Sequence, residues 1–388
     1  MIAVGIDIAK RTHEACFMRQ DGQVLGPKTR RFRNTRRSVE ALLDDLRQVG
    51  EPVTIGLEAT GHYWLALHDV LVRAGHTVQV LNPLQTHAYR RTTIRKVKND
   101  RKDAWLIADV VRIGRGRAAY VPDETILQLR ELTRFRWGLV DQIGDAKRRA
   151  LSVLDRVFPE YEALFSDVFI KSSQALLRQA TSAAEFADAD LAELTAVLER
   201  TSRGRLGQTR ADAVQAAARD SLGLSRLGGV AGFELRALLD QIAFLEQQVA
   251  DVEREVAALL GTLEQHVTEI KGIGPVLAAS LIAEIGDIHR FARLESLVAY
   301  AGIDPAVFAS GEFNATETHM SKRGSPHLRR ALWLAAIAAS RSNPDLAAYL
   351  QHRLEQGKPW GTAMGAVARK LLSRIYVILK QNRPYEVR

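Results

Sequence analysis

The fold of the first part of the chain follows from the stretch "IAVGIDIA" (residues 2–9). It is a continuous apolar run with one carboxylate, Asp7, and such a run predicts a strand buried on both faces of a sheet. A second run, "PVTIGLEAT" (52–60), has the same character and carries a single acid near its end, Glu58. Each acid needs a partner or a cation, because burying an isolated carboxylate is costly.

The segments around these two runs predict the rest of the domain. "THEACFM" (12–18) and "VLGPKTRRF" (24–32) are typical of antiparallel strands joined by a tight turn. Helical periodicity at 38–49 and 63–75 alternates with a further strand at 76–83, which stops at a proline. A hairpin region followed by alternating helices and strands predicts an α/β domain with a mixed sheet.

Composition narrows the class of protein. The chain has 388 residues and a net charge of +9, which favours a polyanionic partner such as nucleic acid, although many basic enzymes have none. Its single cysteine, Cys16, excludes an intrachain disulfide and a cysteine-based zinc finger, and suggests a reducing compartment. No apolar run approaches the roughly 20 residues of a membrane span. We therefore expect a cytoplasmic protein without a membrane segment.

Strand signals disappear after the first domain, and a heptad pattern takes their place. Apolar residues in steps of three and four form one seam: Leu235, Leu238, Ile242, Leu245, Val249, Val252, Val256, Leu259 and Leu263. Such a seam needs a partner, either an earlier helix at 127–156 or a second subunit. The residues between, 160–230, are helical in pattern but broken by glycine-rich stretches, and they read as an insertion whose role is open.

Four carboxylates stand out as a candidate metal site. Asp7 and Glu58 end two strands of one predicted sheet, where α/β folds place ligand sites. Asp100 and Asp103 are three residues apart near the start of a predicted helix, so they share one face. Four carboxylates without a nearby histidine or cysteine suit a hard cation, Mg²⁺ or Mn²⁺.

Each acid also has a purely structural interpretation. Asp7 could pair with a core arginine, and Glu58 could cap a turn with Thr60. Asp100 could be a helix N-cap, with Asp103 a first-turn acid favoured by the helix dipole. The metal interpretation is favoured because the acidic pair follows a strongly basic run, and a metal beside a phosphodiester explains both charges at once.

Basic residues predict where phosphate would bind. The candidates around the acidic pair are Arg95, Lys96, Lys98, Arg101 and Lys102. The tract "KTRRFRNTRR" (28–37) is rich in arginine, which suits phosphate better than a lysine-rich solvated face would.

The last part of the chain contains a second candidate phosphate site. "IKGIGP" (270–275) predicts a turn between two helices, similar to a helix-hairpin-helix element, in which Lys271 and the amides of Gly272 and Gly274 face phosphate. A plain tight turn is the alternative. The candidates further on are Lys322 and Arg323 in "SKRG", and a loop serine, Ser310, which by itself is more typical of a turn than of a nucleophile.

These motifs together resemble a known family. The residues that carry the resemblance are "GIDIAK", "GLEATGHY", "NPLQTHAYRR", "KNDRKDAWLIAD", "IKGIGPVLAASLIAEIGDIHRF", "AYAGIDP", "SGEF" and "SKRGSPHLRRALW". The chain is similar to the DEDD-type transposases of insertion sequences, which include Piv-type DNA invertases and RNA-guided bridge recombinases. The resemblance covers roughly 1–155 and 265–388.

The resemblance implies three regions. We expect an RNase-H-like (RuvC-like) catalytic domain at 1–125, a helical coiled-coil region at 126–265 with the insertion at about 160–230, and a helical C-terminal transposase domain at 266–388. The last region would contain the helix-hairpin-helix-like element and a catalytic serine. Two or four copies are expected to assemble through the coiled coil.

The resemblance also implies a reaction. The family's acidic tetrad falls on Asp7, Glu58, Asp100 and Asp103, with Mg²⁺ or Mn²⁺ as cofactor, and its serine nucleophile falls on Ser310. Donor and target DNA are the expected substrates, selected by a structured bridge RNA that pairs with both. Acids and serine would have to meet by domain docking, within one subunit or between subunits, and the protein would be nucleoid-associated when it acts.

Two alternatives stay open at this stage. A RuvC-like structure-specific nuclease would use metal-activated water and would not need Ser310. A basic binding scaffold would need neither the serine nor the acids for chemistry, and the set of four carboxylates argues against it.

Overall fold

The computed structural model describes residues 1–59, 61–91, 99–116, 119–305, 309–310, 313–314 and 320–386, with the backbone alone at 84, 91, 309–310 and 313–314. The chain divides into two compact units, Met1–Val121 and Pro122–Arg388. Each unit is described by itself below.

The first unit contains the mixed sheet that the sequence predicts. Its strands are β1 (Ile2–Asp7), β2 (Thr12–Arg19), β3 (Arg30–Arg33), β4 (Val53–Glu58) and β5 (Thr77–Leu81), in the order β3-β2-β1-β4-β5. The first three strands pair antiparallel, and β1, β4 and β5 pair parallel. The strand expected at 24–32 is largely irregular, since β3 begins only at Arg30 and Val24 forms one isolated bridge with Met18.

Helices cover both faces of this sheet. They are α1 (Arg36–Gln48), α2 (Trp64–Arg73), α3 (Pro83–Arg91) and α4 (Asp100–Arg112). Alternate residues of β1, including Val4 and Ile6, pack with the buried leucines of α1 and α2. Ala3 packs on the other side with α4. Helix α3 was not predicted, because "NPLQTHAYRR" lacks an apolar repeat.

Two long helices organise the second unit. They are α5 (Glu124–Val157) and α10 (Gly228–Leu260), and they pack along their length. The heptad seam of α10 is buried in this contact, apart from Val249 and Leu259, which are partly buried, and Leu263, which follows the end of the helix. Of the two predicted partners for the seam, the earlier helix of the same chain is the one observed.

The insertion is a small helical subdomain, as its pattern predicts. It contains α6 (Lys171–Gln179), α7 (Ala183–Asp188), α8 (Leu191–Ser202) and α9 (Gln208–Arg219), between short 3-10 helices at Pro159–Leu164 and Ser225–Leu227. Phe158, Tyr161 and Phe186 form its aromatic core. The glycines at 228–232 do not break the chain into loops, because α10 begins within them.

The C-terminal part is also mostly helical. Its α-helices are α11 (Pro275–Ile285), α12 (Leu294–Ala301), α13 (Pro326–Ser342), α14 (Pro344–Glu355) and α15 (Trp360–Gln381), with a two-stranded ribbon of β6 (Ala309–Ser310) and β7 (Phe313–Asn314). The helix expected before Gly272 is only a 3-10 segment, Val267–Glu269. Across the described residues, no helix combines the length and the apolar character that a bilayer crossing would require.

Candidate functional site

Asp7 and Glu58 end neighbouring parallel strands. Ile6 of β1 pairs with Leu57 of β4, so the next residue on each strand is one of the two acids. Neighbouring strands lie roughly 4.8 Å apart, which places the two side chains side by side at the carboxyl edge of the sheet. This is the placement expected from the sequence.

Two glycines show which face these acids occupy. Gly5 lies two residues before Asp7, and a Cβ on it would collide with the backbone nitrogen of Ala108 in α4. Gly56 lies two residues before Glu58, and a Cβ on it would lie only 2.5 Å from a methyl group of Val111 in the same helix. Residues two apart on a strand share a face. Both acids therefore lie on the α4 side of the sheet.

Asp100 and Asp103 lie in the first turn of α4. The N-cap is Asn99, whose side chain accepts a hydrogen bond of 2.9 Å from the amide of Lys102. The alternative that Asp100 is the N-cap is therefore wrong. Asp103 faces inward and is 8% exposed, whereas Asp100 is exposed.

The pKa of Asp7 reflects its burial and the nearness of the other three acids. Burial and then the charges of Asp103, Asp100 and Glu58 raise the pKa of Asp7 from its ordinary value to about 7. Asp7 forms no ion pair within the described part of the chain, so the alternative of a salt bridge to a core arginine is not supported there. Burial and repulsion together disfavour the charged form of Asp7, and a bound cation would offset both.

The donor set fits a hard cation, because all four side chains offer only oxygen. Their arrangement is open, however. Among the residues that the structure describes, no three Asp, Glu, His or Cys side chains are close enough together to hold a metal ion. Thr60, the capping partner considered for Glu58, lies outside those residues.

Two side chains that the sequence did not single out contact this site. Arg90 of α3 donates a hydrogen bond of 2.7 Å from Nη2 to Oδ1 of Asp103. Glu14 of β2 pairs across the strands with Asp7, is buried, and accepts a 2.6 Å hydrogen bond from the hydroxyl of Thr29. Glu14 is an acid inside the predicted strand "THEACFM", and an acid on a strand that pairs with β1 was the signal in the sequence that could have identified it.

The predicted phosphate-binding residues near α4 have different outcomes. Arg95, Lys96 and Lys98 lie outside the described residues. Arg101 is largely exposed, and its Nε is 3.5 Å from a carboxylate oxygen of Glu14. Lys102 is exposed.

Ser310 lies in the second unit, on the short strand β6. Its side chain is outside the described part of the chain, and its backbone pairs with Phe313 of β7. The base of this loop is fixed by a bridge between Pro305 and Met320 and by the amide of Ser321, which donates to the Asp304 carbonyl oxygen at 2.8 Å.

The glycine turn at 270–275 is held firmly. Gly272 has φ +93°, and a Cβ on it would fall 2.7 Å from the Ala338 carbonyl oxygen in α13. A glycine is therefore required here for packing, which is a different reason from the predicted phosphate contact. Lys271 and Gly274 are exposed, and Gly274 is the N-cap of α11.

The "SKRG" turn presents two cations. Lys322 has φ +52°, its amide donates to the Gly302 carbonyl oxygen at 3.2 Å, and its side chain is exposed together with that of Arg323. Gly324 packs so closely on Tyr300 that no side chain fits there. The turn thus holds Lys322 and Arg323 at the N-terminus of α13.

Comparison with known proteins defines the class. A DEDD transposase family profile, described as "Transposase", matches residues 4–159. A second profile, described as "Transposase IS116/IS110/IS902 family", matches residues 264–351. The first match contains the acidic cluster, and the second contains the glycine turn, Ser310 and the "SKRG" turn.

Individual relatives align over nearly the whole chain. The mini-circle protein for IS117 of Streptomyces coelicolor is 26% identical over 98% of this chain and 94% of its own length. The pilin gene-inverting protein of Moraxella bovis is 25% identical over 99% of this chain and 98% of its own length. The transposase for insertion sequence element IS1111A of Coxiella burnetii is 25% identical over 98% of this chain and 90% of its own length. The chain is thus similar over nearly its whole length to insertion-sequence transposases and to a pilin gene-inverting protein, and the resemblance that its motifs predicted is confirmed.

Proposed function

We propose that the chain is a metal-dependent DNA recombinase of an insertion sequence, with Asp7, Glu58, Asp100 and Asp103 as its acidic centre. The observation that carries the proposal is the convergence of these four carboxylates at one sheet edge, within a chain that is similar to insertion-sequence transposases. The mixed sheet with α4 across β1 supports the RNase-H-like (RuvC-like) assignment.

Ser310 is the proposed nucleophile. Its Oγ would attack the phosphorus of a DNA phosphodiester and lose its proton, while the bond to one deoxyribose oxygen breaks and that oxygen leaves as a hydroxyl. The serine would then hold the strand as a phosphodiester until another hydroxyl displaces it. A divalent cation bound by the four carboxylates would stabilise the charge on the phosphate oxygens. The position of Ser310 between the two anchored ends of its loop supports a presented nucleophile.

Basic surface supports nucleic-acid partners. Arg31, Arg33, Arg36 and Arg37 are exposed on and after the edge strand β3, and Lys271, Lys322 and Arg323 are exposed in the second unit. We propose that these side chains bind the phosphates of donor DNA, target DNA and a structured bridge RNA. The insertion is a poorer RNA surface, because residues 160–230 contain ten acidic and eight basic residues.

Self-association is a further part of the proposal. The ion pairs Arg156–Glu234 and Arg136–Glu253 run in opposite directions along α5 and α10, which supports an antiparallel intrachain coiled coil. The face of α10 away from α5 leaves Val230, Phe233 and Phe244 exposed, at 72%, 75% and 62%. Exposed apolar side chains along one helix support a dimer or tetramer. Light scattering of wild-type protein and Phe233→Glu tests this, and a monomer in both would reject it.

Recombination in cells tests the reaction. A plasmid with the gene and its native flanking DNA should yield new DNA junctions with wild-type protein and none with Ser310→Ala or Asp7→Asn. Ser225→Ala, an exposed serine of the insertion, is the matched control and should recombine normally. In the alternative nuclease mechanism, Ser310→Ala retains DNA cleavage while Asp7→Asn and Asp100→Asn lose it.

Guidance by RNA has a separate test. Protein purified from cells that carry the intact element should retain one structured RNA encoded beside the gene, identified by sequencing. Recovery of only heterogeneous cellular RNA would reject guidance without affecting the proposed chemistry.

A further inference from the structure

The contact between Arg90 and Asp103 places a positively charged side chain at the acidic centre. The 2.7 Å hydrogen bond joins side chains that are 28% and 11% exposed, so both groups are largely shielded from water. Charge-assisted hydrogen bonds are shorter and stronger than neutral ones, particularly where the local dielectric is low. The pair therefore holds Asp103 in a defined position.

This cation changes the balance of charge among the acids. Among the neighbouring charges, that of Asp103 contributes most to the raised pKa of Asp7, and the charges of Asp100 and Glu58 add to it. A guanidinium on Asp103 offsets part of that repulsion. It also occupies an oxygen, Oδ1, that a metal ion would use.

We infer that Arg90 is the resident counter-ion of the acidic centre and competes with a divalent cation for Asp103. The inference rests on the proposed metal site and explains why the four carboxylates lie together in an open arrangement. When the metal is bound, Arg90 leaves Asp103. Its freed guanidinium then sits beside the metal site, where its planar fork suits a phosphate.

Release of Arg90 does not require helix α3 to leave. Tyr89, the preceding residue, donates a 2.6 Å hydrogen bond from its hydroxyl to Oδ2 of Asp109, six residues after Asp103 on α4. Asp109 in turn accepts a hydrogen bond of 2.8 Å at Oδ1 from Nε of Arg112. The α3–α4 contact thus has a second anchor outside the tetrad, which can hold α3 in place when Arg90 leaves Asp103.

The test is a calorimetric titration of full-length protein with Mn²⁺, without nucleic acid. Arg90→Gln should bind Mn²⁺ at least about fivefold more tightly than wild type, because the competitor is removed. Arg101→Gln is the matched control, since it removes the same charge from the start of α4 without touching Asp103, and its change should be clearly smaller. Tyr89→Phe should leave the affinity within about twofold.

A second measurement separates competition from a structural role. Urea denaturation should show Arg90→Gln to be less stable than wild type without metal. In saturating Mn²⁺ the difference in free energy of unfolding should shrink by RT ln of the ratio of the two Mn²⁺ dissociation constants, as linkage requires. A purely structural arginine would cost the same stability with and without metal.

Two results would overturn the inference. If Arg90→Gln binds Mn²⁺ as weakly as wild type or more weakly, Arg90 orients Asp103 and does not compete, while the metal site itself stands. If Mn²⁺ binds neither wild type nor the variant, the metal site fails and the inference fails with it. Asp103→Asn supplies the remaining control, because in a chain that carries it the further change Arg90→Gln should no longer alter the affinity for Mn²⁺.

Discussion

Gly5 lies so close to Ala108 that a Cβ on the glycine would collide with the backbone nitrogen of the alanine. This approach sets α4 directly on β1 and thereby carries Asp100 and Asp103 to the edge where Asp7 ends its strand. The acidic centre thus depends on a residue that has no side chain.

Substitution of Gly5 should disrupt this packing. Gly5→Ala meets backbone atoms of α4, which cannot move aside, and should lower the free energy of unfolding by about 3 kcal/mol or more. Gly56→Ala meets methyl groups of Val111 and Ile107, which can shift, and should cost less. Urea denaturation followed by circular dichroism compares them. Gly138→Ala, on an open face of α5, should instead stabilise by about 0.5–1 kcal/mol, and equal losses for all three would contradict this explanation.

The buried ion pair of the second unit predicts an asymmetry. Glu284 of α11 accepts two hydrogen bonds from Arg134, at 2.7 and 3.1 Å, and one from Ser325, and burial leaves its side chain 3% exposed against 38% for the arginine. Arg134→Met strands a buried charge and should cost about 3 kcal/mol, more than Glu284→Met.

The double variant completes this comparison. Because Met can pack where the ion pair lay, Arg134→Met with Glu284→Met should recover part of the loss in thermal denaturation. Additive losses would show that the pair is not energetically coupled.

The pKa of Asp7 predicts a pH dependence of stability. Because the folded chain raises this pKa to about 7 from 3.8, the folded state holds the proton more tightly than the unfolded state. Without metal, the stabilisation is complete below about pH 4 and is lost as pH rises towards 7. The urea midpoint of the wild type should therefore decrease as the pH rises over that range. In Asp7→Asn the decrease should be smaller. An unchanged slope in the variant would refute the assignment.

Cys16 should be chemically inert in the native protein. It is fully buried, and burial raises the pKa of its thiol to about 11. Iodoacetamide at about pH 8 should label the folded chain at least about 100-fold more slowly than the chain in urea. The single cysteine makes mass spectrometry a direct readout, and fast native labelling would show that this part of the sheet opens readily.

The sequence predicted those parts of the fold that have local signals. The apolar runs of β1, β4 and β5 and the seam of α10 were identified because burial imposes a periodicity on them. Helix α3 and the 3-10 segment before Gly272 were not, because tertiary packing and not an apolar repeat determines them.

Those residues of the candidate site that have a local sequence signal could also be predicted. Asp7 and Glu58 end recognisable strands, and the glycines two residues earlier were a further sign of the face shared with α4. Arg90 carried no such sign, because its contact with Asp103 depends on how α3 lies beside α4. Such contacts depend on three-dimensional packing and have no sequence spacing of their own.

The proposed chemistry is tested most sharply by a search for a covalent Ser310–DNA bond. Protein with its co-purified RNA would be incubated with its native flanking DNA and Mn²⁺, quenched in SDS, digested and examined by mass spectrometry. We predict a nucleotide on the tryptic peptide 294–322 of the wild type, attached at Ser310, and none in Ser310→Ala or Asp7→Asn. Recombined DNA formed without any adduct, or an adduct that persists in Ser310→Ala, would contradict the serine mechanism.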